Sequence, residues 1–247
     1  MNNMKQPTEI APGVYDLTPP VRGYLKGGYV HAFLIDTGAE LLLVDTLYDP
    51  DAKIILDQIL HLGRTVHDLK HILLTHAHRA HLGGLATLKR LSGAKIYSHE
   101  WEADIISGDR PQQGVGVRLQ PFQTFPIVLL GALFGSLKEH IPSDVDQLLN
   151  DGDQVGPLRV LHTPGHTPGH LVFFLKEHRV LFTGDAFVTW PLVCPGWNNA
   201  MLNARQTWQS LRRMAELDVE VLGVGHGDPI TRNGASVMRE LAARGKA

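Results

Sequence analysis

The chain has 247 residues, of which 43% are hydrophobic and 19% are charged, and its formal net charge is −2. This composition is typical of a globular protein, and the near-neutral charge argues against nucleic acid or an anionic membrane as a partner. The single cysteine, Cys194, excludes an intramolecular disulfide, and no segment resembles a signal peptide or a membrane span, so we predict a cytoplasmic protein.

The amino-terminal third has the pattern of short strands. Apolar runs at 13–17, 30–35 and 41–44 are separated by turn residues. Apolar residues at helical spacing then predict a helix over 51–62 and another over 85–91. The runs 72–74 and 95–98 predict two further strands.

Residues 108–150 interrupt this succession of short strands and helices, and we predict that they form an insertion or lid. The segment contains an apolar stretch, 125–135, that is too short to cross a bilayer. This stretch is interpreted as a buried core segment, a wall of a substrate site or a contact in a homodimer, and the sequence leaves all three open.

The strand-rich pattern returns after this insertion. Strands are predicted at 158–161, 171–175, 180–182 and 219–224, and helices at 204–217 and 235–243. No linker is long enough to divide the chain, so we predict one domain over 1–247. Its two similar halves would place two sheets inside and the helices outside, which is an α+β fold.

Three histidines, His76, His78 and His81, lie within six residues directly after the predicted strand 72–74. Each neutral imidazole needs a polar partner, so the cluster is poorly suited to core packing and well suited to a divalent metal. In extended backbone, residues two apart point the same way, so His76 and His78 can reach one ion. His81 lies beyond a bend and can serve a second ion.

Three further candidate ligands also follow apolar strands. His166 lies between two Pro-Gly turns, Asp185 follows Thr183-Gly184, and His226 lies in a glycine-rich loop. Residues at corresponding strand ends of a layered fold gather at one edge, so we expect these side chains to converge with the histidine cluster.

Taken together, these motifs resemble the metallo-β-lactamase superfamily over about residues 12–230. The motifs are Thr-His-x-His-x-x-His-x-Gly-Gly, Thr-Pro-Gly-His-Thr-Pro-Gly-His, Thr-Gly-Asp and Gly-His-Gly. The resemblance implies a four-layer αββα sandwich with a hydrolytic site at one edge of the two sheets and one or two ions, usually zinc. It implies two overlapping ligand groups: His76, His78, His166 and Asp185 for the first ion, and His81, His226 and Asp185 for the second.

The chain departs from the family pattern at Ala80. The family has an aspartate there, which ligates the second metal and helps to orient the attacking water. Alanine can do neither, and the neighbouring Arg79 is a cation that cannot ligate, so the second site should be weakened. Three explanations stay open: an engineered Asp-to-Ala replacement, a natural enzyme with one ion or an altered metal, and a relative that has lost hydrolysis.

The predicted function is a zinc-dependent hydrolase of a small molecule, with another divalent metal as an alternative. Metal-bound hydroxide would attack an ester or lactone, or failing these a lactam or thioester. Asp185 and His226 are the predicted catalytic residues, and Ala80 is expected to lower the activity. The competing hypothesis is a non-catalytic sensor that binds a metal or ligand on the same fold.

Other residues near these motifs are predicted to have supporting roles. Asp45 should hydrogen-bond a loop or a ligand histidine, and His170 should support the site without ligating. Trp190 and Trp197 are interpreted either as the mouth of the pocket or as packing residues.

Overall fold

The computed structural model describes residues 6–18, 30–112, 140–197 and 200–245. Within these ranges the chain forms two sheets. The first sheet has seven strands in chain order: β1 (Thr8–Ala11), β2 (Val14–Asp16), β3 (Phe33–Asp36), β4 (Leu41–Val44), β5 (Leu69–Leu73), β6 (Lys95–Ser98) and β7 (Gln147–Leu148). The second has five: β8 (Gln154–Val155), β9 (Leu158–His162), β10 (Leu171–Leu175), β11 (Val180–Gly184) and β12 (Val221–Val224).

Helices cover the outer face of each sheet. The helices of the described residues are α1 (Lys53–His61), α2 (Arg79–Leu82), α3 (Leu85–Ser92), α4 (Glu100–Ile106), α5 (Ala204–Ala215) and α6 (Gly234–Arg244), with a 3-10 turn at Val66–Asp68. The first four helices contribute to a core cluster on the first sheet, and the last two contribute to a cluster on the second.

Alternation along the strands accounts for this layering. Phe33 and Leu42 face the second sheet, where they join a core that includes Phe173 and Phe182. Leu43, the next residue along β4, points instead to the helix-covered face. Successive side chains point to opposite faces, and strands buried on both faces are continuously apolar. The predicted four-layer αββα sandwich is confirmed.

Both sheets contain a parallel pair of strands whose ends lead into polar loops. β4 and β5 run parallel in the first sheet, and β11 and β12 run parallel in the second. Asp45 follows β4 immediately, and Asp185 follows β11 immediately. The loops after these strands therefore bring polar side chains from both sheets to one place.

Several sequence predictions need correction. The predicted strand 30–35 is shorter, because Val30 forms only an isolated bridge with His226 and β3 begins at Phe33. Strand β5 begins at Leu69, earlier than the predicted 72, because polar Lys70 and His71 also lie in it. Helices α2 and α4 were not predicted, since seven residues or fewer are too short for a helical period to show.

The predicted insertion at 108–150 is described only at its two ends. Residues 113–139 lie outside the described residues, and so does the apolar stretch 125–135, whose three interpretations remain predictions. In the part of the chain that the structure describes, no helix combines the length and apolar character needed to cross a bilayer.

Candidate functional site

The first group of converging side chains comprises His76, His78, His166 and Asp185, whose ligand atoms all lie within 4.8 Å of one another. Nδ1 of His78 lies 3.0 Å from Nε2 of His76 and 2.9 Å from Nε2 of His166. Oδ2 of Asp185 lies 3.4 Å from Nε2 of His166 and 3.8 Å from Nε2 of His76. Two ligands of one tetrahedral zinc ion are about 3.4 Å apart, so these separations suit a shared ion.

The second group comprises His81, His226 and Asp185. Oδ1 of Asp185 lies 3.5 Å from Nε2 of His81 and 3.6 Å from Nε2 of His226. Asp185 therefore presents one carboxylate oxygen to each group. All six sequence-predicted site residues lie in this one cluster, although they come from four separate stretches of the chain.

Buried polar atoms without hydrogen-bond partners indicate whether the cluster suits a metal ion. Nε2 of His81 and Oδ1 of Asp185 are buried and have no hydrogen-bond partner among the described residues. A buried polar atom without a partner is costly, so such atoms indicate a missing ion or water. Imidazole nitrogens with one carboxylate form a ligand set that suits zinc and similar divalent metals. The residues therefore fit a divalent cation.

Asp45 fixes the proton positions on one histidine of each group. Thr75 donates its hydroxyl hydrogen to Oδ2 of Asp45 at 2.8 Å, so its oxygen accepts from Nδ1 of His76 at 3.0 Å. His81 donates from Nδ1 to the same Asp45 oxygen at 2.8 Å. His76 is neutral, and His81 would become neutral when a cation displaces its Nε2 proton; the remaining proton of each ring is then on Nδ1, and the lone pair of Nε2 faces the cluster, as metal binding requires.

Burial and neighbouring charge set the protonation of the cluster. Burial lowers the pKa of His76 and His166 well below the usual value and lowers the pKa of His78 to about 4, so these rings are neutral ligands at neutral pH. Burial acts in the same direction on His81, but Asp45 and Asp185 outweigh it and raise the pKa of this ring to about 10. Burial opposes ionisation of Asp185, yet the histidines around it, His226 first, hold the pKa of its carboxyl well below the usual value.

The position of Asp185 depends on a hydrogen bond to His170 and on the absence of a side chain at Gly225. The Asp185 backbone N–H donates to Nε2 of His170 at 3.2 Å, and Nδ1 of His170 then donates to the hydroxyl of Thr163 at 2.9 Å. His170 thus has the supporting contacts that its position in the sequence suggests. A Cβ on Gly225 would lie 2.3 Å from Oδ1 of Asp185, so only glycine allows this approach.

An aromatic loop, residues 188–197, borders the second group. The Trp197 ring lies 4.6 Å from the His226 ring, centroid to centroid, and its indole N–H donates to the carbonyl of Trp190 at 2.7 Å. Leu192 is 71% exposed and Val193 is 45% exposed. The contact with His226 places Trp197 beside the site, which favours the pocket-mouth interpretation for this residue.

Ala80 lies on the short helix α2 between His78 and His81, and it packs against the core cluster on the first sheet. Within the described residues, the second group has three members where the first has four. A carboxylate at position 80 would be adjacent in sequence to His81. Among the described residues, helix α2 therefore contributes His81 alone to the second group.

Sequence reasoning missed Glu102, a buried carboxylate on α4 that contacts the loops of both His78 and His166. It lies in no recognisable motif. Only the fold brings it to loops that are distant in sequence, so the sequence alone carried no signal for it.

Comparison with known proteins gives one family and several relatives. The family model of the metallo-beta-lactamase superfamily matches residues 25–226. The uncharacterized protein YobT of Bacillus subtilis is 31% identical over 88% of this chain and 91% of its own length. An atrochrysone carboxyl ACP thioesterase of Emericella nidulans is 26% identical over 91% of this chain and 60% of its own. The crystal structure of a metallo-beta-lactamase family protein from Thermus thermophilus is similar, with a TM-score of 0.66 and 28% identity over 95% of this chain and 78% of that chain.

Proposed function

The chain belongs to the metallo-β-lactamase superfamily, and on that premise we propose that it is a zinc-dependent hydrolase of acyl compounds. The observation that carries this proposal is the position of Asp185, which presents one oxygen to each of two histidine groups. With this arrangement, Asp185 would help to hold a cation in each of the two groups. The superfamily and the ligand set support a divalent metal, and zinc is our choice because the ligands are mainly imidazoles.

The proposed roles follow from the contacts. His76, His78 and His166 would hold the first ion, and His81 and His226 the second. When bound, zinc supplies Lewis acidity and lowers the pKa of a bound water to about 7. Asp185, whose Oδ1 faces His81 and His226, would supply negative charge to the second group and would orient a water bound there. Trp197, whose ring lies 4.6 Å from that of His226, would shield this side of the site from bulk water.

The aromatic loop supports an apolar acyl group in the substrate. Trp197 adjoins His226, and Leu192 and Val193 are exposed apolar residues of the same loop. The relative from Emericella nidulans is named as a thioesterase, which is also an acyl hydrolase. We propose an ester or lactone first and a thioester or lactam second, and we propose neither nucleic acid nor a membrane as a partner.

A panel of carbonyl substrates tests this function. Zinc-loaded protein is incubated with an aryl ester, a γ-lactone, an acyl thioester, a cephalosporin and, as a non-acyl comparison, an aryl phosphodiester. We expect hydrolysis of at least one carbonyl compound above the rate of the Asp185→Asn variant, and a lower rate on the phosphodiester. Zinc-loaded protein that cleaves none of the carbonyl compounds would contradict the proposal.

A second candidate function is favoured by Ala80. Without a carboxylate at this position, the fold would keep its first metal group and act as a sensor that binds a carbonyl compound without cleaving it. Binding of a substrate in the panel without turnover, persisting after Ala80→Asp, would support the sensor over the hydrolase.

Trp197→Ala should selectively weaken the use of long acyl chains. Burying one large apolar side chain contributes about 1.5–3 kcal/mol, so kcat/KM for a hexanoyl or octanoyl ester should fall about tenfold or more. The acetyl ester should change much less, because it has little apolar surface to bury. Steady-state kinetics across the acyl series measures this difference.

Leu60→Ala provides the control for this series, because Leu60 is an exposed apolar residue (66%) on α1, away from the aromatic loop. It should leave the dependence on chain length unchanged. If Trp197→Ala lowers kcat/KM equally for acetyl and octanoyl esters, the aromatic loop does not bind the acyl chain.

A further inference from the structure

The first ligand group is assembled from two loops that belong to different sheets. The first loop, residues 74–78, follows β5 and carries His76 and His78, and the second loop, residues 163–170, follows β9 and carries His166. His78 and His166 are 88 residues apart in sequence. A backbone hydrogen bond from Leu171, at the end of the second loop, to the carbonyl of Thr75 in the first joins the two loops at 2.8 Å. Further contacts must set the separation of the ring nitrogens.

The Glu102 side chain lies between these loops and hydrogen-bonds to both. Oε2 accepts from the backbone N–H of Ala77 at 2.9 Å, and Oε1 accepts from the hydroxyl of Thr167 at 2.5 Å. The backbone of Gly169 provides a further hydrogen bond to the carboxylate. Ala77 lies between the two histidines of the first loop, and Thr167 directly follows His166, so each partner is adjacent in sequence to a candidate ligand.

The second loop is shaped to admit this carboxylate. A Cβ on Gly169 would lie 2.8 Å from both Cγ and Oε1 of Glu102, so a side chain at this position would displace the glutamate. Thr167 is 2% exposed and Glu102 is 1% exposed, so water cannot replace either partner freely.

We infer that Glu102 is a positioning residue for the first metal group and holds the two ligand loops at the separation that one ion requires. This inference rests on the metal centre of the proposed function. Burial of a carboxylate is costly for stability, and an apolar residue of similar size would often be tolerated better. The position of Glu102 makes sense if its two oxygens hold the loops that carry the ligands, because they accept hydrogen bonds from Ala77 and Thr167.

A purely structural role gives a different expectation. If Glu102 only stabilises the fold, its removal should lower the unfolding temperature of the metal-free protein and leave zinc affinity unchanged. If Glu102 positions ligands, zinc affinity should fall, and so should the rise in unfolding temperature that zinc produces. The difference between zinc-loaded and metal-free protein is the quantity that separates the two roles.

Two conservative variants provide the test. Glu102→Gln keeps the shape of the side chain but offers one acceptor oxygen in place of two, and Thr167→Val removes one hydroxyl with little change in volume. We expect each to weaken zinc binding at the tighter site by about 10- to 100-fold, as is typical for residues that orient metal ligands. Competition with a chromophoric chelator measures the affinity, and thermal unfolding with and without zinc measures the stabilisation.

Ser210→Ala is the matched control, because the Ser210 hydroxyl donates to the carbonyl of Pro164 at 2.8 Å in the same second loop but does not join it to the first. It should reduce zinc affinity less than Thr167→Val does. Folded Glu102→Gln and Thr167→Val variants that bind zinc as tightly as Ser210→Ala would overturn the inference and leave the proposed function intact. A parent protein that binds no zinc would overturn both.

Discussion

Asp185→Asn is expected to remove hydrolysis and most of the bound metal together. The carboxylate of Asp185 presents Oδ2 to His166 and His76, and Oδ1 to His81 and His226. An amide has no negative charge and only one acceptor oxygen, so it can serve neither group as well. Replacing a residue that merely orients metal ligands typically lowers metal affinity or activity by about 10- to 100-fold. Replacing a residue shared by both groups should therefore lower them by more than about 100-fold.

Zinc affinity, metal per chain and initial rates on the best carbonyl substrate measure this effect. Asp218→Asn is a suitable control, because Asp218 forms an exposed ion pair with Arg179 far from any candidate ligand. If Asp185→Asn retains the metal content and the rate of the parent protein, the proposed bridging role of Asp185 is wrong.

Ala80→Asp is expected to have the second large effect, in the opposite direction. The second group has three members in the part of the chain that the structure describes, and its only carboxylate is shared with the first group. An added carboxylate would supply a ligand and a negative charge next to His81. We expect metal content to rise towards two ions per chain and hydrolysis to increase at least about tenfold, because an anionic ligand strengthens a zinc site.

Arg79→Asp is the position-matched control, because it introduces the same carboxylate one residue earlier on α2. Metal analysis and kinetics on both variants separate a new ligand from a general effect of charge. If Ala80→Asp and Arg79→Asp behave alike, position 80 is not the vacant ligand position that the family pattern implies.

The fold layers and the convergence of the six candidate ligands could be anticipated from the sequence, for a physical reason. Each ligand follows a short apolar strand, and strands packed in layers bring their ends together. Asp45 could be anticipated in the same way, since it directly follows the buried strand β4.

Other features depend on tertiary contacts that no local pattern encodes. Glu102 meets Ala77 and Thr167, which are 25 and 65 residues away, only because α4 packs beside both loops. The position of Trp197 beside His226 likewise arises from the fold, and the sequence left its role undecided. Helix α2 is only four residues long, too short to show a helical period.

A metal held by this cluster is expected to carry out acyl hydrolysis. Elemental analysis of the purified chain, combined with hydrolysis assays on the same sample before chelation, after chelation and after zinc is restored, tests it most directly. We predict at least one divalent ion per chain, loss of hydrolysis on chelation and its return with zinc. Folded protein that takes up no ion, or that hydrolyses the same substrate equally well after the metal has been removed, would contradict the claim.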